Sequence, residues 1–262
     1  MDLQLKDKVV MVVGATGGIG AAVCAAFAAE GARLALVGRD QERLAALAAK
    51  LGPRNLSHAT FTCDLLDRDR PAAVVREVEA QFGRLDVLVN CAGDAKRGGL
   101  DEVTDADLEG TLQVKLLGPV RMVRAALPGM RERKFGRIVL VGGLNGRNPS
   151  GDAVVGGAVN AGAANVGRQL AKANAAHGIT VNTVDPGATR TRRWEQRLDQ
   201  LQERFGITRE EANTRASSQV LIGRPVEPEQ IADAVLFLAS PRTAALTGAI
   251  IPVDGGVTQG LY

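Results

Sequence analysis

The chain has 262 residues, 45% of them hydrophobic, and a net charge of +3 from 32 basic and 29 acidic side chains. That length suits one large α/β core better than two small ones, and so small and dispersed an excess of charge argues against nucleic acid or a membrane as partner. Cys24, Cys63 and Cys91 sit in apolar runs without metal-ligand spacing, MDLQLKDKVV at 1–10 lacks a basic segment followed by an apolar one, and no apolar run reaches membrane-spanning length, so the expectation is a cytoplasmic protein with reduced thiols, no disulfide and no metal.

In chain order, the first apolar run, VVMVVG at 9–14, passes through a glycine-rich turn into a helix. Gly14, Gly18 and Gly20 let the backbone approach a pyrophosphate there, and the helix start offers unpaired N–H groups and a partial positive charge. The second run, RLALVG at 33–38, ends in Gly38, where a carboxylate would hold the ribose hydroxyls of NAD; Arg39 follows. An uncharged residue beside a guanidinium accepts a 2′-phosphate, so NADP(H) is the expected cofactor. Further runs lie at 59–64, 85–90, 137–142, 180–185 and 249–254. Runs that are apolar throughout are strands covered on both faces, which predicts a doubly wound, seven-stranded, mainly parallel sheet in a single domain over 1–262.

Two stretches between these runs carry further signals. Leu108, Leu112, Lys115 and Pro119 share one helical stripe, which places Lys115 on an apolar face where burial lowers an ammonium's pKa toward neutrality; the alternative is a lysine that snorkels to solvent or pairs with Asp94 or Asp152. Between the strand ending near Asp185 and the helix starting near Glu227, Trp194, Leu198, Leu201 and Phe205 fall at helical spacing, and Thr208 to Glu211 (TREE) form a capping-box pattern. The segment at about 191–222 fits a short helical lid or a fixed surface hairpin.

As a set, GATGGIG at 14–20, Asp64 in FTCDLLD, NCAG at 90–93, PGATRT at 186–191 and GAIIPVDGG at 248–256 resemble the short-chain dehydrogenase/reductase family over nearly the whole chain. The resemblance implies a Rossmann fold, usually a homotetramer or homodimer, acting on a small-molecule substrate. It adds Thr16 and Ile19 to the glycine turn as cofactor-binding residues and places Asp64 and Leu65 near the adenine. Asn90, Ala92 and Gly93 fall beside the cofactor, Thr189 and Thr191 near its nicotinamide end, and Pro186 and Gly187 count among the cofactor-binding residues.

The family's proton donor is a tyrosine, helped by a lysine, a serine and an asparagine. Ungapped alignment puts Gly156 at the tyrosine, Asn160 at the lysine, Gly143 at the serine and Lys115 at the asparagine, and the chain's one tyrosine is its last residue, Tyr262. Lys115 is the leading replacement acid, because Asn145 and Asn160 can hydrogen-bond a carbonyl oxygen but cannot protonate it. Asp152 could donate or cap a helix, His58 and His177 read as surface residues, and Tyr262 would have to reach a neighbouring subunit. Gly143, Gly156 and Gly157 either open room for a bulky substrate or permit close helix packing. Lys96, Arg97, Arg147, Arg190, Arg192 and Arg193 follow strand C-termini, which fits an anionic substrate or a solvated basic rim. The expected function is an NADP(H)-dependent oxidoreductase acting on a carbonyl, imine or enone without the tyrosine acid. A catalytically inactive NADP(H)-binding protein is the alternative, and an intact cofactor site speaks against elimination or hydration.

Overall fold

The computed structural model describes residues 1–51, 58–93 and 95–258. Strand β1 (Val9–Val13) is buried at every position because both of its faces are covered. Val9, Met11 and Val13 enter one apolar cluster with Val74, Val78 and Met122, whereas Val10 and Val12 enter another with Phe27 and Val235. Side chains that alternate between two helical layers demand apolarity at every residue.

The strands that follow are β2 (Arg33–Gly38), β3 (His58–Thr62), β4 (Val87–Asn90), β5 (Gly136–Val141), β6 (Ile179–Pro186) and β7 (Ile250–Val253). Among the described residues they form one sheet in the order β3-β2-β1-β4-β5-β6-β7, with every neighbouring pair parallel. Each strand lies within two residues of its apolar run. The helices are α1 (Gly18–Ala29), α2 (Gln41–Leu51), α3 (Arg70–Phe82), α4 (Asp105–Leu112), α5 (Gly118–Glu132), α6 (Val154–Asn174), α7 (Arg192–Phe205), α8 (Arg209–Ser217) and α9 (Pro228–Ala239). Buried side chains of α1, α2 and α9 share one face of the sheet, and those of α3, α5 and α6 the other. The chain leaves β1 toward β2 and β3 and then returns to place β4 on β1's other side, so a crevice opens at the C-terminal ends of β1 and β4.

Three local features bear on the site. Helix α6 runs unbroken through Gly156 and Gly157, which fall in its first turn and not, as expected, in mid-helix. Helices α7 and α8 form a hairpin around Trp194, Leu198, Ala212 and Ala216, opened at α8 by the expected reciprocal hydrogen bonds of Thr208 and Glu211; Phe205 is exposed, with the Arg215 guanidinium 3.9 Å from its ring centroid. Between α4 and α5, Gln113–Leu117 winds as a π-helical turn. The extra residue in that turn rotates the face, so the single stripe expected from Leu108 to Pro119 breaks: Leu112 is exposed while Pro119 is buried.

The three cysteines are free thiols, and burial pushes Cys63 up to about 12. His177 is exposed as expected, but His58 differs, with a buried Nδ1 that has no partner. No helix among the described residues is long and apolar enough to cross a membrane.

Candidate active site

The turn after β1 is closed by contacts that leave no room for side chains. Gly14 has φ +76°, a left-handed conformation that favours glycine, and a Cβ on it would stand 2.7 Å from the backbone of Ala92 at the end of β4. A Cβ on Gly20 would lie 2.1 Å from the Gly14 carbonyl oxygen, and one on Gly18 2.6 Å from Thr191 Cγ2. Helix α1 therefore starts against the ends of β1 and β4, with Thr191 leaning on its first residue. No side chain caps this helix, and Ile19 packs partly into the core beneath it. A bare backbone cradle at a helix N-terminus fits a pyrophosphate.

Around the end of β2, Arg39 is exposed and Gly38 is buried, with Thr16 Oγ1 3.7 Å from the position of a Gly38 Cβ. Arg43, which the sequence reading passed over, donates from Nη2 to the Thr16 carbonyl at 2.9 Å. Its place in the first turn of α2 was the available signal. At the end of β3, the exposed Asp64 accepts from the Leu66 N–H at 3.0 Å. Leu65 turns its side chain into the core, with Cδ2 3.0 Å from where Gly118 would carry a Cβ, so only its backbone stays at the sheet edge. Gly187 donates to the Val253 carbonyl at 3.0 Å just beyond Pro186, the last residue of β6, and Thr189 Oγ1 donates to the Gly187 carbonyl at 3.0 Å.

At the other end of the crevice, Lys115, Asn90, Asn160, Gly142 and Thr183 line a cavity of about 20 Å³, room for about one water molecule. The Lys115 stem crosses Gly93, its Cγ 2.6 Å from where a Cβ would be. Asn90 is buried and accepts from the Ala92 N–H at 3.2 Å. Asn160 is buried with an Oδ1 that has no hydrogen-bond partner. Asn145 occupies the short turn Leu144–Gly146, its carbonyl oxygen 3.1 Å from the position of a Gly157 Cβ.

Gly143 and Asn160 are coupled. A Cβ on Gly143 would stand 2.7 Å from Asn160 Nδ2, so the Asn160 amide, and not empty space, takes up the room beside Gly143. Gly157 likewise serves close packing of the turn on α6, while a Cβ on Gly156 would meet only Ala95, at 3.2 Å. Gly143 has φ 174°, extended backbone open to any residue, so Gly143→Ala is expected to cost about 1–3 kcal/mol through crowding alone. Chemical denaturation of that variant and of the double variant with Asn160→Ala checks this: the coupling should exceed about 0.5 kcal/mol, and strict additivity would remove the contact.

Charge pairing revises two expectations. Asp152 does not cap α6; Ala153 precedes that helix, while Asp152 accepts from Arg97 Nε at 3.0 Å and from Ser150 Oγ. The Ser150 hydroxyl, then Arg97, hold its carboxyl below the ordinary carboxylate value, which leaves it no proton to give near neutrality. Lys96 pairs with Asp107 at 3.0 Å and Arg190 with Glu227 at 3.0 Å. Among the described residues, Lys96, Arg97 and Arg190 of that rim are thus matched by carboxylates. Asp94 and Tyr262, both weighed from sequence, lie outside the described residues.

A second residue passed over in the sequence is Asp185. It is 2% exposed, and its Oδ1 accepts from the Gly143 N–H at 3.1 Å. Burial pushes its carboxyl above the ordinary carboxylate value, against the pull of that N–H, Arg147 and Lys115 and with a push from Asp254. An acidic residue inside an otherwise apolar strand was the visible signal.

Comparison with known proteins adds four relationships. The profile of the enoyl-(acyl carrier protein) reductase family matches residues 14–258. The chain is 35% identical over 262 residues to D-threitol dehydrogenase of Mycolicibacterium smegmatis, covering 98% of this chain and 95% of that one. Among solved structures, L-sorbose reductase from Gluconobacter frateurii, complexed with NADPH and L-sorbose, superposes with TM-score 0.95 at 28% identity over all of both chains. A short-chain oxidoreductase from Pseudomonas aeruginosa PAO1, described as containing an atypical catalytic centre, superposes with TM-score 0.89 at 32% identity over 97% of this chain and 98% of that one.

Proposed function

The chain belongs to the short-chain dehydrogenase/reductase family, and on that premise we propose that it is an NADP(H)-dependent oxidoreductase acting on a small carbonyl, imine or enone without a tyrosine acid. One observation carries this reading: the Lys115 stem lies across Gly93, and Lys115 lines one cavity with Asn90 and Asn160, so a lysine and two asparagines stand together at the end of the crevice that the glycine turn opens. The cofactor is held by Gly14, Thr16, Gly18, Ile19, Gly20, Arg39, Asp64, Leu65, Asn90, Ala92, Gly93, Pro186, Gly187, Thr189 and Thr191. When bound, NADPH supplies the hydride.

This chain's own residues supply the rest. The Lys115 ammonium donates its proton to the substrate oxygen as the carbonyl becomes an alcohol, and the resulting amine is reprotonated from water. Asn145 and Asn160 orient that oxygen as amide donors. The segment at about 191–222 acts as a lid that excludes water, supported by its own small core and by the contact of Thr191 with Gly18. The working form is a homodimer or homotetramer. The direct test is NADPH consumption by purified protein across carbonyl, imine and enone panels. Turnover on one class establishes the reading, whereas NADPH binding with no turnover on any class would favour a protein that only binds the cofactor.

Cofactor choice is assigned to Arg39, with Arg43 beside it on the Thr16 carbonyl. A charge-assisted hydrogen bond to a 2′-phosphate contributes about 1.5–3 kcal/mol, so Arg39→Ala is expected to weaken NADPH binding about 10- to 100-fold and leave NADH binding unchanged. Calorimetry with both nucleotides checks this. Equal affinity of the wild-type protein for the two would overturn the assignment.

A further inference from the structure

Asp185 is a buried acidic residue near the sheet's C-terminal edge that neither the cofactor cradle nor the proton step above employs. Its direction follows from the β5–β6 register. Val141 stands beside Val184, so the next residues along, Gly142 and Asp185, are neighbours, and a Cβ on Gly142 would lie 2.4 Å from Asp185 Oδ1. Successive residues of a strand alternate faces, which puts Asp185 on the same face as Thr183. Thr183 and Gly142 line the cavity that Lys115 and Asn160 close from the helical side. The Asp185 carboxyl therefore faces the layer that carries Lys115, with the Gly142–Gly143 backbone between β5 and α6 as its immediate neighbour.

We infer that Asp185 and Lys115 form one charge-coupled unit, in which Asp185 is the positioning residue that holds the Lys115 ammonium at the reacting end of the crevice. The inference rests on the reading of Lys115 as proton donor. Two features support the pairing. A half-buried ammonium loses hydration, and a nearby carboxylate offsets that loss. Asp185 also already spends Oδ1 on the Gly143 N–H, which fixes the carboxyl's orientation as well as the turn, and a fixed orientation is what positioning requires. The charged groups facing Asp185 are Lys115 from the π-helical turn, Arg147 from the segment after β5 and Asp254 from the end of β7, while α6 presents the neutral Asn160.

The pairing makes a reciprocal prediction that needs no turnover. The Asp185 carboxyl can be followed by carbon-13 NMR of the whole protein, its signal assigned by its loss in Asp185→Asn, whose amide oxygen still accepts from Gly143 N–H. In Lys115→Met the Asp185 titration should move to higher pH, because the positive neighbour that favours the carboxylate is gone. A titration identical to the wild type's would overturn the inference.

Kinetics supply the second measurement. Asp185 holds the ammonium only as a carboxylate, so wild-type kcat should fall as pH drops through its raised pKa. Asp185→Asn should lack that acid limb and turn over about 10-fold more slowly at neutral pH, with unchanged NADPH affinity. Retention of the acid limb in Asp185→Asn would also overturn the inference. Full turnover in Lys115→Met accompanied by the shifted Asp185 titration would leave the pairing in place and remove only the assignment of Lys115 as acid.

Discussion

Lys115→Met is expected to lower kcat about 10²-fold or more while leaving NADPH affinity nearly unchanged. Methionine keeps the length of the stem that crosses Gly93, so packing against the NCAG turn is retained and the change is confined to the ammonium. A positioned general acid contributes about 10²–10⁴-fold, roughly 3–5 kcal/mol of barrier. Of the groups weighed from the sequence, Asn90, Asn145 and Asn160 are amides and Asp152 is held ionised by Ser150 and Arg97, while the Asp185 carboxyl already accepts from the Gly143 N–H. Steady-state kinetics on a substrate found in the panel, together with calorimetric NADPH affinity, measure both quantities. Unaltered kcat would take Lys115 out of the mechanism and point to a substrate that accepts hydride without an acid. A parallel loss of kcat and NADPH affinity would instead mark Lys115 as part of the cofactor site.

Gly20→Ala is expected to weaken NADPH binding about 100-fold and to lower the melting temperature. The added methyl would stand 2.1 Å from the Gly14 carbonyl oxygen, 2.9 Å from the Gly14 carbonyl carbon and 3.1 Å from Ala15 Cα. All three are backbone atoms, so no side chain can rotate away, and the start of α1 must withdraw from the end of β1. Overpacking of this kind costs about 1–3 kcal/mol of stability. Displacing a helix N-terminus by about an ångström also misplaces the N–H groups that would meet a pyrophosphate, a geometric error that can cost about 10²-fold. Calorimetry and thermal unfolding on the same sample separate the two effects. A destabilised variant that binds NADPH as tightly as the wild type would show that the turn serves packing alone.

Much of the architecture was legible along the chain. Uniformly apolar runs such as VVMVVG and RLALVG read as doubly covered strands because β1 and β2 do lie between two helical layers. The Thr208–Glu211 capping box was readable because both of its partners lie within four residues. The π-helical turn at Gln113–Leu117 was not, since its sequence has ordinary helical periodicity and the extra residue per turn leaves no local mark. The role of Asn160 was equally hidden: spacing placed it at a position where the family carries lysine, but only packing shows that its amide takes up the room beside Gly143. Lys96, Arg97 and Arg190 looked like a basic rim because their carboxylate partners lie 11, 55 and 37 residues away.

By itself the sequence determined the layer order of the fold and the lack of an interior tyrosine, since periodicity is a local property and composition needs no alignment. The tertiary structure alone decided which polar groups come together near the C-terminal edge of the sheet. Asp185 reaches the Gly143 N–H across 42 residues because β5 and β6 are parallel neighbours in a register that sets Gly142 beside Asp185, and Lys115 reaches Gly93 because the π-helical turn rotates it there. Register and crossover geometry are settled by packing the whole sheet between its helices, and no stretch of residues short enough to read for its own periodicity contains that information.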